Sequence, residues 1–220
     1  GCSALEHVDD LYSLTRLEYD VFSHCVSLIS VDCSDKLTAI GSSAFFGCKA
    51  LVSIGDLSNV TSIESSVFRG CIALKSIGNM PKLESIGMQC FMGCTALETV
   101  GDLSSLKEIP SETFDGCTSL VSIGDLSNVT IIGSYGFNQC KKLTSIPNLG
   151  SLERVDQFAF SGCESLALLG NLRKLTSFGY SPFVNSPFHN CPNLVLEVLP
   201  DSAAEQYAKD YNMQYTYITE

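Results

Sequence analysis

Cysteine is the residue whose number and spacing could most directly support chemistry in this chain of 220 residues. Of its eleven cysteines, eight follow one another at intervals of 23 residues from Cys2 to Cys163, and Cys191 comes 28 residues later. Thiols can form disulfides, ligate metals or act as nucleophiles. A thiolate metal site needs Cys-x-x-Cys or clustered histidines, and the sequence has neither. The regular spacing instead indicates one structural position that recurs in every turn of a repeating fold.

Two states of these nine cysteines are compatible with the spacing. Equivalent residues in stacked coils lie about 4.8 Å apart, which is within the Cα range of a disulfide, but their side chains point side by side. We therefore favour buried free thiols that serve as small apolar groups over disulfides. Cys33 stands outside this set, at a position that Asp or Asn fills in other coils, and we predict that it is the more exposed thiol.

Acidic and amide side chains recur eight residues after most of the repeat cysteines. A column of carboxylates could bind Ca²⁺, but we favour a hydrogen bond from each side chain within its own turn, because Asn serves there as well as Asp. The column consists of Asp10, Asp56, Asn79, Asp102, Asp125, Asn148 and Asn171. The three histidines occupy different positions, and no nucleophile motif or phosphate-binding glycine loop occurs. We predict that the protein is not an enzyme and uses no cofactor and no metal.

The elements that position these residues are coils of 23 residues, each counted from its cysteine as position 0. Positions 3, 6, 9, 12 and 15 are aliphatic in nearly every coil, and position 20 is phenylalanine. Residues 51–54 and 60–63 of one such coil are predicted to be extended, with a turn at Gly55 between them. Residues 65–71 are predicted to form one helical turn with a serine cap and a glycine stop. We expect the second extended piece to form a concave parallel sheet, because threonine is favoured at its exposed positions.

Residues 37–48, which read LTAIGSSAFFGC, and residues 155–163 resemble the leucine-rich repeats of the BspA-like family, also called the Treponema pallidum type. That family repeats 23 residues with the core L-x-x-I-G-x-x-A-F-x-G-C, and the resemblance extends over residues 2–199. Residues 54–57 depart from the family's I-x-I-P run. The resemblance implies a secreted or surface-attached protein of bacteria or protozoan parasites that adheres to host proteins or other cells.

We therefore expect an α/β repeat solenoid of the leucine-rich-repeat type. It would be a right-handed superhelix of about eight 23-residue coils with short parallel strands, short helical turns and a C-terminal α/β cap. Residues 1–199 would form the solenoid, with a five-residue insertion at about 181–187 that is either a binding loop or a neutral insertion. Residues 200–220 would form the cap, because Ser202 to Glu205 reads as a capping box and residues 213–219 alternate like a strand.

The charge and the hydropathy of the chain limit its partners. A net charge of −11 argues against nucleic acid, which requires a basic surface. No run of 18 apolar residues occurs, so we expect no direct membrane insertion by this segment. The resemblance implies an extracellular or cell-surface location and, as partner, a protein or glycan on a host or neighbouring cell.

Two non-enzymatic functions are compatible with this architecture. The first is an adhesion module whose second extended pieces contact the partner, through charged residues that interrupt a serine and threonine background. Those candidate contacts are Arg16, Glu84, Lys107, Glu108, Glu153 and Arg154. The same charges could instead only keep the sheet soluble. The second function is a structural spacer about 40 Å long that holds another domain away from the cell surface.

Overall fold

The computed structural model describes residues 1–9, 11–179 and 186–219. In these residues the chain winds as a parallel β-solenoid of about nine coils, with one α-helix near the C-terminus. Its elements are, in chain order, β1 His7–Val8, β2 Arg16–Leu17, β3 Ser30–Val31, β4 Ala39–Ile40, β5 Ser53–Ile54, β6 Ser62–Ile63, β7 Ser76–Ile77, β8 Ser85–Ile86, β9 Thr99–Val100, β10 Glu108–Ile109, β11 Ser122–Ile123, β12 Ile131–Ile132, β13 Ser145–Ile146, β14 Arg154–Val155, β15 Leu168–Leu169, β16 Ser177–Phe178, β17 Val195–Val198, α1 Ala203–Asp210 and β18 Gln214–Tyr217.

Each of the first eight coils contributes one strand to each of two rows of parallel strands. The odd-numbered strands form three hydrogen-bonded sheets, β1-β3-β5, β7-β9-β11 and β13-β15-β17-β18, and the even-numbered strands form two, β2-β4-β6-β8 and β10-β12-β14-β16. We call the odd-numbered row the first ladder and the even-numbered row the second ladder. The register is one repeat per coil, so Leu17 pairs with Ile40, Ile40 with Ile63, and Ile63 with Ile86. The predicted parallel pairing of the second extended pieces is confirmed, and the first extended pieces also pair in parallel.

The third side of each coil is a turn segment, residues 64–71 in the coil that begins at Cys48. It contains no α-helix, because Ser66 and Gly70 have φ angles of +59° and +74° and interrupt the helical path. The serine predicted to cap a helical turn is thus itself left-handed. In place of helical hydrogen bonds, the turn segments form backbone hydrogen bonds with the next coil. Ser43 N donates to Ser65 O at 2.9 Å, and Gly47 N donates to Arg69 O at 2.8 Å.

The centre of the solenoid is a stack of phenylalanine rings that lie one coil apart. Neighbouring ring centroids are 5.1–5.9 Å apart and nearly parallel, with interplanar angles from 2° to 22°. The stack consists of Phe22, Phe45, Phe68, Phe91, Phe114, Phe137, Phe160 and Phe188. The buried aliphatic side chains belong to the same hydrophobic cluster as these rings, so one continuous core extends along the solenoid.

The C-terminal residues cover the last coil. The side chain of Ser202 accepts a hydrogen bond from Glu205 N and caps α1, as the capping box predicts. The Glu205 carboxylate accepts from Asp201 N at 2.8 Å, one residue before the expected partner. The ring of Tyr207 stacks on Phe178 with their centroids 3.9 Å apart. Apolar rings at the end of the core are thus shielded from water, while the division between solenoid and cap at residue 200 stays a prediction.

The insertion falls mostly outside the described residues, because residues 180–185, Phe183 among them, belong to the part that the structure does not describe. After it the repeat resumes as predicted, since Phe188 continues the ring stack on Phe160 at 5.9 Å. Among the described residues, no helix has both the length and the apolar character needed to cross a membrane.

The buried carboxylate of Glu205 makes the cap sensitive to acid. Hydrogen bonds from Lys209 and Tyr217 lower the pKa of Glu205 to about 2, below the value of about 4.3 for an unfolded glutamate. Its contribution to stability is therefore fully present above pH ~4.3 and is lost as the pH falls through ~2. We expect Glu205→Gln to lower the melting temperature at pH 7 and to have little effect at pH 2, as measured by circular dichroism. The same loss at both pH values would contradict this, and Glu98→Gln, at an exposed residue, is the control.

Candidate functional site

All six charged residues proposed as contacts are exposed on the second ladder. Glu84, Lys107 and Glu153 occupy position 13 of their coils, directly before a strand of that ladder, and the other three occupy position 14, within a strand. These two positions are otherwise filled mainly by Thr, Ser and Ala. We call these six residues the six-charge set.

The six-charge set is divided into three groups along the solenoid axis. Arg16 lies in the first coil, Glu84, Lys107 and Glu108 lie in the fourth and fifth, and the remaining pair lies in the seventh. At about 4.8 Å per coil, Arg16 is ~29 Å from Arg154. The structure thus places the six residues on one face but spreads them along its length. Only an extended partner could contact all three groups.

Arg16 is already engaged by carboxylates of its own chain. Its Nη2 donates to Glu64 Oε1 at 2.6 Å, and its Nε is 3.5 Å from Glu18 Oε2. The hydrogen bond from Arg16 is the main cause that lowers the pKa of Glu64. Glu64 belongs to a coil two repeats away, and sequence analysis missed it because it lies at position 16, outside the strand.

The middle group lies beside a polar groove. Glu84 and Lys107 line a cavity of about 430 Å³ together with Ser104, Ser105 and Asn128. Asn128 Nδ2 donates to Ser104 O at 2.8 Å, so the groove wall is held in place by backbone contacts between coils. Charges of both signs, hydroxyl groups and an amide oxygen thus face one opening and can exchange hydrogen bonds with a protein or a sugar.

The third group is partly neutralised. Arg154 Nε lies 3.1 Å from Oδ1 of Asp156, the residue that follows β14. Both groups are exposed enough for solvent to screen them, so this pair leaves Arg154 available to a competing anion. Glu153 is exposed beside it, and its carbonyl accepts hydrogen bonds from Thr176 N at 3.1 Å and Ser177 N at 3.1 Å.

Three aspartates of the acidic and amide column bond within their own turns, as predicted, whereas two of its asparagines bond between coils, which was not predicted. Oδ1 of Asp56, Asp102 and Asp125 each accepts from the backbone N–H two residues later at 2.8 Å. The two asparagines act differently: Asn79 Oδ1 accepts from Asp102 N, and Asn148 Oδ1 accepts from Nδ2 of Asn171, in each case one coil further on. Asp10 lies outside the described residues.

The repeat cysteines are free thiols, and those of the inner coils are fully buried. From Cys48 to Cys163, each sulfur of the column donates to the carbonyl of the phenylalanine 26 residues earlier, for example Cys94 Sγ to Phe68 O at 3.0 Å. That carbonyl also accepts from Cys71 N at 3.0 Å, so both of its lone pairs are used. The thiols therefore connect the turn segments of adjacent coils. Sequence analysis predicted their burial but not this hydrogen bond.

The prediction that Cys33 is the more exposed thiol is wrong. Cys33 is only 9% exposed and belongs to the core cluster. In its coil Ser34 stands at position 9, where other coils have an aliphatic side chain, and Cys33 supplies the apolar group instead. Its burial raises the pKa of the Cys33 thiol to about 11. The exposed thiol among the described residues is Cys2.

Thiol labelling at pH 8 tests this arrangement. Burial raises the pKa of Cys48 to about 12 and also raises the pKa values of Cys71 and Cys94 well above that of a free thiol, so the reactive thiolate is scarce. We expect an aromatic disulfide reagent to modify Cys2 rapidly, Cys191 slowly and the nine buried thiols only after unfolding. Cys2→Ser should abolish the fast phase. Rapid labelling of Cys33 in the folded protein would contradict the structure.

Comparison of the sequence with known protein families identifies the family of this solenoid. The sequence profile of the BspA type leucine-rich repeat region matches residues 1–98 and 84–197, in six copies. The chain belongs to the BspA-type leucine-rich repeat family. Members of this type are repeat scaffolds, and nothing in the described residues of this BspA-type chain indicates catalysis.

Solved structures agree with the BspA-type assignment at the level of the fold. The leucine-rich repeat protein of T. pallidum is 24% identical, with a TM-score of 0.59, over 96% of this chain and 83% of that one. A leucine-rich repeat protein from Eubacterium ventriosum is 18% identical, with a TM-score of 0.62, over 84% of this chain and 66% of that one. No curated protein sequence matches the chain.

Proposed function

We propose that this BspA-type chain is a non-enzymatic binding module of a secreted or cell-surface protein. It binds a protein or glycan of a host or neighbouring cell along the face of its second ladder. The observation that carries the proposal is that the six-charge set interrupts a repetitive polar background on this one exposed face. Residues needed only for folding repeat from coil to coil, whereas these six do not.

The groups of the six-charge set fit an elongated ligand. They recur over ~29 Å along the second ladder, whose two sheets β2-β4-β6-β8 and β10-β12-β14-β16 each pair with a register of one repeat per coil. Coil stacking at about 4.8 Å per coil sets the distances between the groups. A rigid array of this kind requires little ordering when it binds, which favours affinity. Because the exposed charges are mixed in sign, contacts depend on the pattern of charge in the partner and should weaken with salt.

A structural spacer is the second candidate function. The observation that favours it is the continuous core, which stacks the rings of successive coils from Phe22 to Phe188 into one rigid body about 40 Å long. A spacer needs no ligand on the second ladder, and the six charges would then serve solubility alone.

Binding to an array of immobilised extracellular-matrix proteins, mucins and glycans separates the two functions. We expect a saturable signal on at least one of these ligands, at equal strength with Ca²⁺ and with a chelator, because the acidic column is engaged in its own turns. A signal that requires Ca²⁺ would move the site to that column. The absence of any saturable signal would reject the binding module in favour of the spacer.

A further inference from the structure

A second groove lies on the turn segments of the first coils, away from the six-charge set. It has a volume of about 400 Å³ and extends from the end of the first coil to the end of the fourth. Its lining side chains are His24, Val26, Phe46, Lys49, Arg69 and Met92, and its floor consists of Gly47, Gly70 and Gly93. We call it the turn groove.

The turn groove combines apolar and cationic side chains. The guanidinium carbon of Arg69 lies 5.6 Å from the centroid of the Phe46 ring, and His24 meets the same ring edge-on at 5.0 Å. Val26 is 39% exposed, so apolar surface is open to a ligand. Phenylalanine, methionine and arginine are enriched at the centres of protein interfaces.

The charge of the turn groove is opposite to that of the chain. The protein has a net charge of −11, yet no carboxylate lines this groove, whereas Lys49 and Arg69 do. The next residue in the column of Met92 is Asp115, one coil further on, and its carboxylate accepts from Asn138 Nδ2 at 2.7 Å. The positive region therefore ends where the groove ends, which makes it complementary to an anionic ligand.

The floor of the turn groove consists of glycines at a position where the backbone is left-handed. Gly47, Gly70 and Gly93 have φ angles of +69°, +74° and +73°. A Cβ atom added at Gly93 would meet nothing within 4 Å. His24 and Gln139 occupy the same position of their coils with φ of +56° and +59°, so the backbone tolerates a side chain there. Gly70 and Gly93 thus leave open space in the groove floor, whereas at Gly47 a Cβ atom would lie 2.8 Å from His24 Nδ1.

We propose that the turn groove binds an extended peptide segment of a partner protein that carries both carboxylates and apolar side chains. The groove is three coil steps long, about 14 Å, which matches four residues of an extended chain. Carboxylates would pair with Lys49 and Arg69, and apolar side chains would lie against Val26, Phe46 and Met92. A sugar offers mainly hydroxyl groups, for which this apolar lining has few hydrogen-bonding partners.

The proposal is tested by fluorescence anisotropy with a labelled peptide of about eight residues in which pairs of aspartates alternate with pairs of leucines, so that each face of the extended chain carries both. We expect saturable binding that weakens with salt, and no binding of peptides in which lysine replaces the aspartates or serine replaces the leucines. Gly70→Asn fills the floor and should weaken binding by roughly tenfold or more. Its matched control Gly116→Asn, at the same coil position with φ of +73° but outside the groove, should leave binding unchanged.

Charge reversal gives an independent readout. Lys49→Glu should weaken peptide binding, whereas Lys141→Glu, at the same position of a later coil, should not. Equal binding by the wild type and Gly70→Asn, or no binding of the aspartate–leucine peptide, would overturn the proposal. Binding of heparin but not of the peptide would also overturn it, in favour of an anionic glycan. The six-charge set takes no part in this test, so failure here leaves the proposed function on the second ladder standing.

Discussion

Phe91→Ala is expected to lower the free energy of unfolding by about 3–5 kcal/mol. Phe91 is fully buried, and its ring lies between Phe68 at 5.2 Å and Phe114 at 5.3 Å. Alanine would leave a cavity in the middle of the ring stack, and neighbours held by two ladders and a turn segment have little freedom to fill it. Equilibrium urea unfolding, followed by circular dichroism, measures the loss.

The matched control for Phe91 is Phe46→Ala. Phe46 is the residue after a ring of the stack, Phe45, but it is only partly buried on the surface of the turn segment. Its removal loses the contacts with His24 and Arg69 without opening the core. A loss for Phe91→Ala that is no larger than that for Phe46→Ala would show that the ring stack does not stabilise the solenoid.

Gly87→Ala is expected to destabilise the protein by about 2–3 kcal/mol. Gly87 follows β8, and a Cβ atom there would lie 2.6 Å from Ser65 Cα and would also overlap the backbone of Glu64. Because the obstacle is main chain, rotation of a side chain does not relieve it, and the spacing between two coils must increase. The expected result is a lower urea midpoint and a lower melting temperature.

Gly78 provides the comparison within the same coil. It follows β7 as Gly87 follows β8, but a Cβ atom there would meet nothing within 4 Å. Gly78→Ala is therefore expected to be neutral or stabilising by up to about 1 kcal/mol, because alanine restricts the unfolded chain. Equal losses for the two variants would contradict the close approach of coils at Gly87.

The fold was predictable because each inward position repeats its residue type once per coil. A ladder of identical side chains fixes the register, and the ring stack and the cysteine column follow directly from it. Prediction from the repeat failed at Cys33. Its burial depends on Ser34, which also departs from the repeat pattern, because other coils have an aliphatic residue at that position. Prediction also failed at Ser66, where the repeat revealed a turn but not the left-handed φ that replaces the helix.

The candidate site was less predictable than the fold. The sequence was sufficient to predict that the six-charge set lies on one face, because the side chains at positions 13 and 14 point away from the core in every coil. It gave no sign that Arg16 reaches Glu64 two coils away, because that contact depends on side-chain length and conformation. The turn groove was missed for a different reason: its residues occupy positions that vary from coil to coil, and only stacking brings Val26, Phe46 and Met92 together.

The equilibrium dissociation constant of a six-charge variant tests the proposed function most directly. All six residues of the set are replaced by alanine, and affinity is measured on the array ligand with the strongest saturable signal. The control replaces Lys141 and Glu164 by alanine, an exposed ion pair of 2.9 Å between adjacent coils that lies outside the set. We predict a loss of about tenfold or more for the six-charge variant and none for the control. Equal affinity for all three proteins would contradict a binding site on the second ladder.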